Sequence, residues 1–149
     1  ADRFPDASPK DVNILHELMG AIGEAIIYET DTTDAETNAE EALKLGRGVC
    51  QDHAHVFIAT ARLLGFPTRY VSGYLMMMDR VEQEAGHAWA EAWVDGLGWT
   101  GFDVSNRICP DARYIRVATG LDYRDAAPVR GLLYGAEREN LVVSIQVQQ

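Results

Sequence analysis

Apolar residues recur at spacings of three and four from Val12 to Ile26, with Val12, Leu15, Leu18, Met19, Ile22 and Ile26 on one face. The spacing predicts a helix capped by Asp11 and running to about Glu29, its end blurred by Ile26-Ile27-Tyr28. Asp31-Thr32-Thr33-Asp34 reads as a turn and cap before a second helix over roughly Ala35–Leu45, closed by Gly46. A third helix is expected from about Cys50 to Leu64, with Ala54, Phe57, Ile58, Ala61 and Leu64 as its buried stripe and Gly65 as its stop. After Pro67 the period shortens to two. Thr68–Met78, Gly86–Val94, Trp99–Val104, Tyr114–Thr119 and Leu141–Val147 read as strands of one mainly antiparallel sheet. In Gly86–Val94 the alternation is strict: His87, Trp89, Glu91 and Trp93 share one face, and Ala88, Ala90, Ala92 and Val94 the other. Helices first and strands afterwards predict an α+β domain.

Composition narrows the class. With 149 residues the chain fits one domain, 1–149, in which residues 1–9, with Pro5, Ser8 and Pro9, form an irregular lead-in. A net charge of −10 disfavours nucleic acid and anionic membrane as partners, since both need a basic surface. The acids between Glu29 and Glu41 read first as a solvated face, although they would also suit a cationic substrate. No apolar run is long enough to span a bilayer, and the start lacks a basic-then-apolar leader, so a cytoplasmic location is expected for the chain or for a longer protein containing it. The two cysteines, Cys50 and Cys109, are too few and too far apart for a disulfide framework or a paired zinc motif. Cys109, before Pro110, reads as a buried small hydrophobe.

Cys50 is different. It follows Gly46-Arg47-Gly48-Val49 at a helix start, where unpaired N–H groups and the helix dipole favour a thiolate and offer donors to a developing oxyanion. His87 is a candidate base. Asp103, an acid between Phe102 and Val104, needs a partner to be worth burying, and an imidazole across the strand would supply one. Strand parity sets a condition. A two-residue Asp95-Gly96 turn would pair residues whose numbers total 191, whereas His87 and Asp103 total 190 and would fall on opposite faces. A loop of three or five residues, or a bulge at Gly98 or Gly101, restores a shared face.

Metal binding is the rival chemistry, drawing on Cys50, Asp52, His53, His55 and His87. His53 and His55, two apart on a helix, diverge by about 200° around the axis, unlike the four-apart pair of helical zinc sites. No metal, no calcium site and no cofactor are therefore expected.

Four motifs carry a resemblance: Gly48-Val49-Cys50-Gln51-Asp52-His53-Ala54-His55, the run Gly65 to Tyr74, Gly86-His87-Ala88-Trp89-Ala90-Glu91, and Gly98-Trp99-Thr100-Gly101-Phe102-Asp103. Together they resemble the transglutaminase-like superfamily, in its bacterial cysteine-peptidase-like branch, over roughly Lys10 to the end of the chain. Asp122-Tyr123-Arg124-Asp125 with Pro128-Val129-Arg130-Gly131 resembles that branch's C-terminal segment, though Leu121 stands where relatives tend to have Arg. The resemblance implies a papain-related core, a nucleophile helix packed on an antiparallel sheet. It also implies Cys50 as nucleophile, His87 as proton carrier and Asp103 as orienter. A β-rich domain that often precedes this core in relatives would be absent or cut away here.

Other positions are weaker candidates. Tyr28 would supply a second oxyanion donor, and Trp89 would shield the site or touch substrate. Asp52 and His55 would brace the helix start, and Met76-Met77-Met78 would line a groove or simply pack. The expected function is amide acyl transfer through a thioester on a protein or peptide substrate, as peptidase, amidase or transglutaminase-like enzyme. The alternatives are a catalytically silent binding module of the same fold, and acetyl transfer from a thioester cofactor, for which no segment suggests a nucleotide pocket.

Overall fold

A computed structural model describes residues 11–35, 37–76, 82–83, 86–128 and 145–146. The lead-in, Met77 and Met78, and Val129-Arg130-Gly131 lie outside the described residues.

The first helix, α1 (Val12–Ala25), is capped by Asp11, whose side chain accepts from the Asn13 amide at 2.9 Å. It buries Leu15, Leu18, Met19 and Ile22, the stripe the spacing predicts. It ends four residues before Glu29 because Ile26 turns extended and the chain enters β1 (Ile27–Tyr28), which pairs in parallel with β2 (Arg47–Gly48). Long-range bonds from the Ile27 amide to Gly46 O and from Glu29 to Gly48 O, both 2.9 Å, replace the helical ones. The second helix, α2 (Ala39–Leu45), also starts later than expected. Asp34 binds the Thr37 amide instead, and Asn38 forms a reciprocal cap with Glu41. Gly46 closes α2 with φ of 65°, a left-handed position that suits glycine.

The third helix, α3 (Cys50–Leu63), lies on a four-stranded antiparallel sheet built from β3 (Thr68–Leu75), β5 (His87–Val94), β6 (Gly98–Phe102) and β7 (Tyr114–Gly120) in the order β6-β5-β3-β7. Ala54, Phe57, Ile58 and Ala61 of α3 meet the small, buried Ala88, Ala90 and Ala92 of β5. Phe57 also stacks on Phe102 with ring centroids 5.1 Å apart. The core is thus the layer between the helices and one sheet face. One expectation needs correction. Of Leu141–Val147 only β8 (Ile145–Gln146) is described, and it pairs with β4 (Glu82–Gln83) rather than with the four-stranded sheet. Among the described residues no helix is long and apolar enough to cross a membrane.

Candidate active site

Cys50 is the first residue of α3, a position whose amide has no carbonyl within the helix to bond. Val49 before it has no polar side chain to cap with. Asp52, one turn in, reaches back, and its Oδ2 accepts from the Val49 amide at 2.8 Å and from the Thr33 hydroxyl at 2.6 Å. Gly48 is required beside it, because a Cβ there would stand 2.6 Å from that carboxylate oxygen. Asp52 therefore braces the helix start.

The turn after β5 has three residues. Val94 pairs with Gly98 and Trp93 with Trp99, so paired numbers total 192. Leu97 N–H bonds to Val94 O at 3.0 Å, and Gly96 and Gly98 adopt φ of 85° and 79°, which favour glycine at both places. The even total puts His87 and Asp103 on one face, as the parity condition requires. Asp103 follows the last residue of β6 and is held by paired backbone bonds with Ile108. His87 Nε2 and Asp103 Oδ2 lie 2.6 Å apart, and Asp103 has no exposed surface. A carboxylate only accepts, so Nε2 carries the proton, which leaves Nδ1 as the ring nitrogen not engaged by Asp103, and Cys50 lies near enough to act on the ring's charge.

The electrostatics follow from these contacts. Burial alone would lower the His87 pKa, but the hydrogen bond to Asp103 and the nearby Cys50 prevail and push it up to about 10. Burial acts to raise Asp103, yet the donors His87, Tyr114 and Asn106 hold its carboxyl below the usual range. Tyr28 is 53% exposed; partial burial first, then the negative charges of Cys50 and Asp103, raise its phenol pKa. Its side chain thus lies within the field of the sulfur.

The family model described as the transglutaminase-like superfamily matches residues 2–104, more than half of the chain, including all three of these residues. The chain belongs to that superfamily. An uncharacterized protein of Mycobacterium tuberculosis is 37% identical over 146 residues, covering 91% of this chain and 46% of its own length. One of Mycobacterium leprae is 36% identical over 125 residues, covering 80% and 44%. The chain therefore spans about half the length of these relatives. Among solved structures it is similar to a "Putative Cysteine Protease" from Cytophaga hutchinsonii, with a TM-score of 0.71, 30% identity, and 91% of this chain and 45% of that one covered. LapG of Legionella pneumophila shares the fold at a TM-score of 0.63 and 16% identity, covering 80% and 68%.

Other sequence candidates of this transglutaminase-like domain fall elsewhere. Trp89 is only 3% exposed and packs against His87 and Tyr114, so it backs the imidazole rather than facing the open side of the site. His55 does not brace the helix start; its Nε2 accepts from the Tyr123 amide at 3.2 Å and its ring lies against Tyr70. His53 is buried, donating through Nε2 to Ile26 O at 3.0 Å while Nδ1 meets the Ser105 hydroxyl at 2.8 Å. Both its nitrogens are thus committed, and burial lowers the pKa of both histidines. Among the described residues no group of three or more His, Cys, Asp or Glu is placed to hold a metal ion. Cys109 is exposed, not buried as expected, because the strand has ended and the chain there is a surface loop. Two residues that sequence reasoning missed are Asn106 and Tyr114, both hydrogen-bonded to Asp103. The Asp-x-x-Asn spacing was the available signal for Asn106; Tyr114 had none.

Proposed function

We propose that this domain is a cysteine-nucleophile amide acyl-transfer enzyme that works through a thioester on a protein or peptide substrate. The observation that supports it most is the 2.6 Å hydrogen bond between His87 and the buried Asp103, with Cys50 at a helix start near enough to act on the charge of His87. In this reading the Cys50 proton already rests on His87 Nδ1, and the thiolate sulfur adds to the amide carbonyl. The oxyanion forms beside the first-turn amides of α3, with the Tyr28 hydroxyl as a further donor. The C–N bond then breaks and Nδ1–H protonates the leaving amine, giving a thioester. Water or an amine, deprotonated by the now neutral His87, displaces the sulfur and restores the thiolate beside the imidazolium. Asp103 orients His87 and stabilises its imidazolium. Trp89 shields the ring from water.

Hydrolysis is the simplest outcome, and the cysteine protease named in the description of the Cytophaga hutchinsonii protein supports it. A cytoplasmic location belongs to the same reading and rests on two free thiols. The net charge of −10 favours peptides over nucleic acid or anionic membrane as partners. The deciding experiment is incubation of the protein with a peptide library and a tagged primary amine, followed by mass spectrometry. Chain scission identifies a peptidase, a gain of one dalton a deamidase, and amine incorporation a transglutaminase. No product, together with alkylation of Cys50 at pH 6 no faster than that of free cysteine, would refute the reading and leave a binding module.

A further inference from the structure

Asp103 holds more than the imidazole. Its Oδ2 accepts three hydrogen bonds, from His87 Nε2 at 2.6 Å, Tyr114 Oη at 2.6 Å and the Asn106 side-chain amide at 2.7 Å. Its Oδ1 takes the Asn106 backbone N–H at 3.2 Å. Asn106 belongs to the same loop as Asp103. Tyr114 does not: it opens β7, on the opposite flank of β3 from β5 and His87. Its ring meets Trp89 edge-on at 5.4 Å and lies 5.9 Å from the His87 ring.

We propose that Tyr114 is a positioning residue that competes with His87 for one carboxylate oxygen of Asp103, and so sets how firmly His87 keeps its proton. Its effect on turnover rests on the acyl-transfer reading. Its effect on the titration of His87 rests on the hydrogen bonds alone. Each donor on a carboxylate oxygen draws off anionic charge, and a carboxylate with fewer donors is more basic. With the phenol gone, Asp103 presents more charge to Nε2–H and the imidazolium is favoured. A His87 that holds its proton more tightly is a poorer acid toward the leaving amine. The other ionisable groups facing this pair are Cys50 of α3, Tyr28 of β1 and His53 of α3, with Arg107 acting on His53. Among the contacts described for Asp103, the Tyr114 hydroxyl is the long-range donor that shares Oδ2 with the ring.

The test compares the full chain with Tyr114→Phe, which keeps the ring and removes Oη. The His87 titration is followed by nitrogen-15 imidazole spectra, with kcat and KM measured on any peptide substrate found. The His87 midpoint is expected to rise by about half to one pH unit. At neutral pH kcat should fall about tenfold with KM nearly unchanged. A fluorotyrosine placed at position 114, a stronger donor of the same size, should move the midpoint the other way, and it keeps the question answerable if the phenylalanine variant folds poorly. A loss of thermal stability or turnover with an unmoved midpoint would overturn the proposal and reduce Tyr114 to packing. If no substrate is found, the titration still decides the role of Tyr114 while the acyl-transfer reading fails on its own.

Discussion

At Cys50 the half-buried thiol is placed by what surrounds it: a cap without a polar side chain, a glycine two positions earlier, and an aspartate that takes the Val49 amide. His87 is fixed from the other side by an acid with no exposed surface. If these groups act as a unit, Cys50→Ala and His87→Ala should each lower kcat/KM by about a thousandfold or more. Asp103→Asn should lose less, because the amide oxygen still accepts from Nε2–H. Steady-state assays on a cleaved peptide give the comparison; small, equal losses in all three variants would contradict it. At this scale much was legible in the sequence. An acid inside an apolar strand demanded a partner, and strand parity said how the hairpin must turn to supply it. Tyr114 was hidden because its hydroxyl meets Asp103 only through the register of β7 on β3, which shifts at Ser72/Gly73. Cys109 was misread because a small apolar residue type does not by itself bury a side chain where the strand has ended and the chain runs over the surface.

At the scale of elements, helix faces and strand alternation were correct wherever local preference and tertiary packing agree. They failed where long-range backbone bonds win, as at Ile27–Tyr28, drawn out of α1 by β2. Two substitutions probe the devices that hold the site elements. The irregular register at Gly73 brings the backbone of β7 against β3, and a Cβ there would collide with Ile115 O and with the Trp89 ring. Gly73→Ala should cost about 3 kcal/mol or more, read from urea unfolding, and it should disturb the His87 ring that Trp89 backs. Asp52→Ala removes the acceptor for the Val49 amide and the Thr33 hydroxyl, and should cost about 2 kcal/mol. Asp52→Asn should cost less, since it retains an acceptor at the helix start. Equal losses in the two Asp52 variants would mean that the charge, rather than the cap, is what matters.

Across the whole molecule the sheet has two unlike faces. The alanine face is sealed by helices, whereas the other carries Glu91 between Arg69 and Arg116, and the edge-on pair Trp93 and Trp99. The ionisable groups of these layers give stability a definite pH dependence. Burial keeps His53 and His55 neutral in the fold, with pKa values below the ordinary 6.5. Their contribution is present above that value and is lost as pH falls through it, because the unfolded chain then binds more protons. Asp103, held below 3.8, adds a further loss at lower pH. His87 has the opposite sign. Its pKa is raised to about 10, so its contribution is complete below 6.5 and disappears as pH climbs from there through about 10. The melting temperature is therefore expected to peak near neutrality and fall on both sides. Calorimetry from pH 4 to 10 at fixed ionic strength would check this. In Asp103→Asn, where His87 loses its carboxylate, the alkaline decline should shrink while the acid limb set by His53 and His55 persists. A melting temperature that rises steadily from pH 7 to 10 in the unaltered protein would mean that His87 is not held as an imidazolium, and that the His87–Asp103 contact does not carry the charge assigned to it.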